Sequence, residues 1–362
     1  MFAIGIDLGG SNLRAASFAD ATPIANHREP VGEPRDPETI IERLAGIIET
    51  LAAPEMERAG EGRGAGRAME GAGEGRGAGR AMERAGEGRG AGAHGGSVPV
   101  GVGVAAMLRD REGTVANSPH LRWRDVPFGE LLARRLGPRF RLGVYNDVNA
   151  IVWGEAVAGA ARGCRDVLGV YVGTGIGGGV IAGGTLVEGA SNCAGEIGHV
   201  KVRWDEAAQP CACGQRGCIE AYAGGSYVQR RILRELSLGA RSSAARFAGG
   251  LERVNPGHVD LAAADGDEWA LGLWTDLAPL LAVAIANAVA VLNPERLVLG
   301  GGLLARCPTL YELVVASLVV AAPAASLERL TIMLAELGDD AGLVGAAHLA
   351  RDGVSIINAK QA

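Results

Sequence analysis

His199, Cys211, Cys213 and Cys218 put one imidazole and three thiols within twenty residues of chain, a ligand set that suits a tetrahedral zinc ion. The C-x-C-x4-C spacing is dense, and Gly214 and Gly217 let so short a loop fold back until three sulfurs converge. The spacing therefore predicts a structural zinc clip; the plainer alternative is three reduced cysteines in a glycine-rich loop beside an unrelated histidine. Two carboxylates flank the clip. Glu196 precedes the histidine by three residues and Glu220 follows the last cysteine by two, so a bound metal would hold both acids in a fixed relation.

A third acid stands apart. Asp147 follows Arg141 to Tyr145, an apolar strand, and opens the helical pattern of residues 150 to 161. An acid at the carboxyl end of a strand sits where open α/β sheets hold their ligands. It could instead serve only as the cap of the following helix. Two glycine-rich hairpins complete the inventory. In the first, the strand of residues 2 to 8 turns through Gly9, Gly10, Ser11 and Asn12 into a second strand, Leu13 to Phe18. In the second, Val167 to Val172 turns through Gly173, Thr174 and Gly175, within a run that extends to Gly179. Such turns can offer successive backbone amides to a phosphate, and Asp7 could reach the magnesium that accompanies it. Neither is a P-loop, because no Gly-Lys-Ser/Thr follows. Two matching hairpins suggest a duplicated domain with a nucleotide between the halves. Gly300, Gly301 and Gly302, after the strand Glu295 to Leu299, are a candidate contact for a flat adenosine ring.

The remaining elements must carry these residues. Residues 36 to 53, Val228 to Leu236, Ala270 to Leu292 and Ala341 to Ala350 read as helices, and Val98 to Ala106 as a strand. Residues 58 to 70 recur as 71 to 83 and again, in part, as 84 to 92. These units lack a hydrophobic face, so about 55 to 96 is expected to be a flexible insertion and not a repeat fold.

Bulk properties narrow the function classes. With 362 residues, 48% hydrophobic and 4% aromatic, the chain can bury a core in one or two domains. Thirty-five basic against 41 acidic residues leave a net charge of -6, which disfavours a nucleic-acid partner bound through bulk charge. No apolar run approaches a membrane span without interruption by charge or glycine, and no basic leader precedes the first strand, so no membrane partner is expected. Six cysteines, three in the clip, fit a reducing cytoplasm.

Glu-x-x-His followed by Cys-x-Cys-Gly-x-x-Gly-Cys-x-Glu resembles the signature of the ROK family of bacterial sugar kinases and repressors. The first glycine hairpin, Asn146-Asp147, the 173 to 179 loop and Gly300-Gly301-Gly302 stand in the order that family shows. The resemblance implies an α/β, actin-like and hexokinase-like (ribonuclease H-like) ATPase fold of two domains around a cleft. The small domain would span 1 to 117 plus a C-terminal helix near 340 to 352, the large one 118 to 339. It further implies an ATP-dependent hexose kinase, most simply a glucokinase, that uses Mg2+ and a structural Zn2+ and is dimeric. Asp147 would be the catalytic base. Asn146, Glu196, His199 and Glu220 would contact the sugar, and Asp7, Gly9, Gly10, Ser11, Gly173, Thr174, Gly175 and the 300 to 302 glycines would hold the nucleotide. Two departures stand out. His120 replaces a family asparagine that touches sugar, and Ala105-Ala106 replaces a pair that ends in glycine; both favour plain glucose over an N-acetylated hexosamine. The alternatives are kinases of N-acetylmannosamine, N-acetylglucosamine or fructose, or a sugar sensor without turnover.

Overall fold

The computed structural model describes residues 1–65 and 97–357. β1 (Phe2–Leu8) and β2 (Asn12–Ala19) form the expected antiparallel hairpin, and β3 (Thr22–Pro30) extends it. Next come α1 (Pro37–Ala65), β4 (Val98–Val104), the small meander β5 (Met107–Leu108), β6 (Val115–Ser118) and β7 (Trp123–Val126), then α2 (Phe128–Leu136) and β8 (Phe140–Asn146). β4 and β8 add in parallel, which gives a first sheet of order β3-β2-β1-β4-β8.

α3 (Asp147–Ala158) leads across to β9 (Val167–Val172), β10 (Ile176–Ala182) and the short β11 (Thr185–Leu186). The helices α4 (Glu220–Ala223), α5 (Gly225–Ser237), α6 (Ala244–Ala248), α7 (Pro256–Ala264) and α8 (Glu268–Leu292) follow. β12 (Arg296–Gly300), α9 (Gly302–Arg306), α10 (Pro308–Ala321), α11 (Ala324–Leu327), β13 (Thr331–Leu334) and α12 (Ala341–Arg351) complete the chain. The second sheet runs β11-β10-β9-β12-β13. Like the first, it opens with an antiparallel glycine hairpin and continues with two parallel strands.

Three expectations change. The boundary placed at 117 does not follow the sheets, because β8 pairs with β4 from Val98↔Phe140 to Val104↔Asn146 and so belongs to the first. The first helix does not stop near 53: it continues through Pro54 to Ala65, over the start of the low-complexity stretch. The rest of that stretch, 66–96, lies outside the described residues, as does the expectation that it is flexible. And α8 is long and apolar enough to cross a membrane. Its Leu273, Trp274, Leu277, Leu281 and Ile285 are instead buried in the second core, where α10 packs alongside.

α12 binds the two halves. Backbone approaches backbone so closely that a Cβ on Gly101 would lie 1.8 Å from the Ala346 carbonyl oxygen, and one on Gly5 would lie 2.0 Å from that of Leu343. Glycine is required there because no side chain fits. On its other flank α12 meets α3, where a Cβ on Gly345 would lie 1.7 Å from the Ala150 carbonyl oxygen.

Candidate active site

β8 ends at Asn146, and Asn146 is the residue that caps α3: its Oδ1 accepts from the amides of Val148 at 3.0 Å and Asn149 at 3.2 Å. Its Nδ2 donates to the Ala106 carbonyl oxygen at 3.2 Å. The capping role weighed for Asp147 is thus filled by its neighbour, which leaves the Asp147 carboxylate available for chemistry. Burial is the main force that raises its pKa to about 7, and the carboxylates of Asp7 and Glu196 add to it. A carboxylate with that pKa is poised to take a proton at neutral pH. Asp147 keeps a partial route to solvent.

Asp7, at the end of β1, is likewise raised, first by burial, while Arg14 opposes the shift. Arg14 Nε donates to Asp7 Oδ2 at 3.1 Å, and its Nη1 reaches Asp339 at 3.1 Å. Arg14 is thus shared between Asp7 and the exposed Asp339, while the carboxylates of Asp7 and Asp147 lie in each other's field. That imbalance fits a divalent cation arriving with the phosphates, and Asp7 is the residue that would face it.

The two glycine loops share one plan. In each, the first glycine closes the turn on itself: the Gly9 amide donates to Asn12 O at 3.1 Å, and the Gly173 amide to Gly175 O at 2.9 Å. Among the described residues the amides of Gly10, Ser11, Thr174 and Gly175 have no backbone partner, and they are the ones available to phosphate oxygens. His120 lies over Gly10, where a Cβ would meet its ring at 2.9 Å. Arg35 ties the first glycine turn to the His120 segment by donating to the Gly10 and His120 carbonyls.

Glu196 is raised by burial and by Glu220, with His199 acting the other way. His199 turns Nε2 toward Glu196 at 3.8 Å and Nδ1 toward Cys211 Sγ, also at 3.8 Å. Cys213 Sγ lies 3.7 Å from Cys218 Sγ, and one donor atom from each of the four residues falls within 4.8 Å of every other. Ligands about 2.3 Å from a tetrahedral centre stand about 3.8 Å apart, so the set fits zinc. Nδ1 would be the metal ligand and Nε2 remains on the acid side. Glu220 links clip and loop: its Oε2 accepts from the Ile176 amide at 2.8 Å, and its Oε1 lies 3.8 Å from Cys211 Sγ.

A cavity of about 530 Å3 joins Gly173 and Thr174 to Gly302. Of the three glycines in the 300 to 302 turn, only Gly302 lines it. A Cβ on Gly300 would strike the Tyr171 ring at 2.5 Å, and Gly301, at φ 85°, lies against the Val172 backbone, so both serve packing. Sequence reasoning missed the rest of the wall, which includes Ser226, Gln229, Asn255, Pro256 and Arg306. Asn255-Pro256 does carry a visible helix-start signal, and Asn255 caps α7.

Two sheets of matching plan, each opening with a glycine hairpin, define an actin-like ATPase fold of two α/β domains. The chain belongs to the ROK family, whose sequence profile matches residues 90–353. A glucokinase of Thermotoga maritima is 34% identical over 255 residues, 70% of this chain and 79% of that protein. A Streptomyces coelicolor glucokinase is 28% identical over 96% of this chain and 97% of its own length. Among solved structures, the ROK family glucokinase of Streptomyces griseus in complex with glucose and AMPPNP is 26% identical with a TM-score of 0.70, covering 98% of this chain and all of that one.

Proposed function

We propose that this chain is an ATP-dependent hexose kinase that phosphorylates the 6-hydroxyl of glucose. The observation that carries the reading is Asp147: freed from capping by Asn146 and raised to about 7, it stands beside Asp7 and Glu196. A sugar hydroxyl is a poor nucleophile at neutral pH, and phosphoryl transfer needs it aligned and relieved of its proton as the bond forms. The sugar O6–Pγ bond forms as the bond from Pγ to the β-phosphate oxygen breaks; the hydroxyl proton passes to Asp147 and ADP leaves. The amides of Gly10, Ser11, Thr174 and Gly175 steady the phosphates, and the cavity at Gly302 takes the adenosine. Magnesium, faced by Asp7, supplies neutralisation of phosphate charge. Glu196, Glu220 and the Nε2 edge of His199 accept from sugar hydroxyls, each carboxylate being able to take two hydrogen bonds. Asn146 keeps one amide hydrogen for the sugar beyond its bond to Ala106. His199, Cys211, Cys213 and Cys218 would hold a structural zinc, which would keep His199 and Glu220 in place and take no part in the chemistry.

Glucose is the expected choice over an N-acetylated hexosamine because Ala106, whose carbonyl accepts from the Asn146 amide, carries a methyl where the family has glycine, so a bulky substituent near Asn146 would be crowded. The glucokinases among the relatives support the same choice. The test is an ADP-release assay with ATP and magnesium over glucose, mannose, fructose, N-acetylglucosamine and N-acetylmannosamine. Turnover on glucose is expected. Turnover confined to an acetylated sugar would refute the role of Ala106, and sugar binding without turnover on any of them would leave a sensor.

A further inference from the structure

A second cavity, of about 690 Å3, lies beside the clip on the face of α5 and α8. Its wall carries Arg203, Arg230, Arg231 and Arg234 against two carboxylates, Glu235 and Asp276. Both carboxylates are engaged. Arg231 donates to Glu235 Oε1 at 2.7 Å and to Asp276 Oδ2 at 2.9 Å, while Trp269 Nε1 donates to the other oxygen of Glu235 at 3.0 Å. Among the described residues Arg230 and Arg234 have no carboxylate partner, and Arg203 meets only Asp205, at 3.9 Å. Arg230 and Arg234 are one turn apart on α5, a like-charge spacing that destabilises a helix unless an anion relieves it.

The floor of this cavity touches the clip. Tyr222 Oη accepts from the Gln209 amide and Tyr227 Oη from the Ala212 amide, each at 2.8 Å. The Arg230 guanidinium stacks on the Tyr227 ring, 4.3 Å from its centroid. Ala212 lies between two of the clip cysteines, and Tyr222 follows Glu220 by two residues.

We propose that this cavity binds a phosphate dianion, free or as the phosphate group of a sugar phosphate, and that its occupant braces the clip through Tyr222 and Tyr227. Arg230 and Arg234, without carboxylate partners, line one cavity with Arg203 and match a dianion with three acceptor oxygens, which Arg recognises through paired N–H donors. The volume lies within the range of small-molecule sites and admits a sugar phosphate as readily as inorganic phosphate. Neither Arg230 nor Arg234 belongs to the catalytic or zinc-binding set, so the site stands independently of which sugar is phosphorylated.

The test is calorimetric titration of the intact protein with inorganic phosphate and, separately, with glucose 6-phosphate, in excess AMPPNP and glucose so that the main cleft is filled. Saturable binding to the wild type is expected, with affinity at least about tenfold weaker in the Arg230→Ala/Arg234→Ala double variant. Tighter binding of the sugar phosphate would identify the occupant as a phosphorylated sugar, and equal binding would identify phosphate itself. Bound phosphate should also slow zinc loss to a chelator in the wild type and not in the variant. No saturable heat, or the same isotherm in both proteins, would overturn the site; unchanged zinc loss would overturn the bracing. Without phosphate, the double variant's thermal midpoint should not fall below the wild type's and its ADP release should match, which excludes misfolding as the cause of lost binding.

Discussion

Asp147→Asn replaces a carboxylate whose pKa is raised to about 7 by an isosteric amide that cannot take a proton. With that pKa, about one tenth of the wild-type carboxylates are ionised at pH 6 and about nine tenths at pH 8, so kcat/KM for sugar should rise about tenfold across that interval. Loss of the base should lower kcat by about 100- to 10,000-fold at pH 8 and flatten the profile. Stability should move the other way. The unfolded chain releases this proton near pH 4, the folded chain near 7. Between those values the folded state holds a proton that the unfolded state has lost, so the wild type loses stability as pH rises through the window. A shift of about three units corresponds to at most about 4 kcal/mol above pH 7, and less where solvent reaches the carboxylate. The variant should therefore unfold at a higher temperature than the wild type at pH 8, with the gap closing below pH 4. Sugar binding by calorimetry should survive. A wild-type profile flat from pH 6 to 8, or a variant of near-normal turnover, would remove Asp147 from the mechanism.

Three further outcomes follow from the geometry. Cys213→Ser, or a strong chelator, should release one zinc per chain, lower the thermal midpoint and weaken sugar binding through His199 and Glu220; a protein without zinc and with unchanged melting would refute the clip. Gly301→Ala should cost stability, since its φ of 85° and the Val172 backbone leave no place for a methyl, whereas Gly302→Ala, at an open position, should fold and raise KM for ATP without changing that for sugar. Glu155 is fully buried and accepts from the amides of Ala160, Glu336 and Leu337 at 2.8, 3.2 and 2.9 Å. Glu155→Ala would orphan all three donors and should lower stability by about 3 kcal/mol or more, measured as the shift in denaturant midpoint.

The parts of the site that were legible in the sequence are those built from contiguous chain. The clip spans twenty residues, and each glycine hairpin is a local turn between strands whose apolar character is plain. What escaped was assembled at long range. β3 is almost wholly exposed along Thr22–Pro30, an edge strand with no apolar alternation to betray it. β8 was readable as a strand, but its membership of the first sheet rests on parallel pairing with a strand more than thirty residues away. The cavity beside Gly302 draws on four separated segments, and those at 225–229 and 255–257 carry no ligand-binding motif. Asn146 shows the reverse case: its sequence neighbour drew attention as the chemical group, and only the hydrogen bonds reveal which of the two caps the helix.

The fit of α12 against Gly5 and Gly101 also orders events during synthesis. The strands of the first sheet leave the ribosome early, yet the helix that covers their face is encoded by residues 341–351. Until those residues emerge, the face of the first sheet that carries Ala3, Gly5, Ala16, Phe18 and Gly101 lacks that cover, while β9 to β13 and their helices can already gather around their own core. The half made second is thus free to finish first. A nascent chain stalled before 341 should be cut by protease within residues 1–146 and protected over β9 to α10.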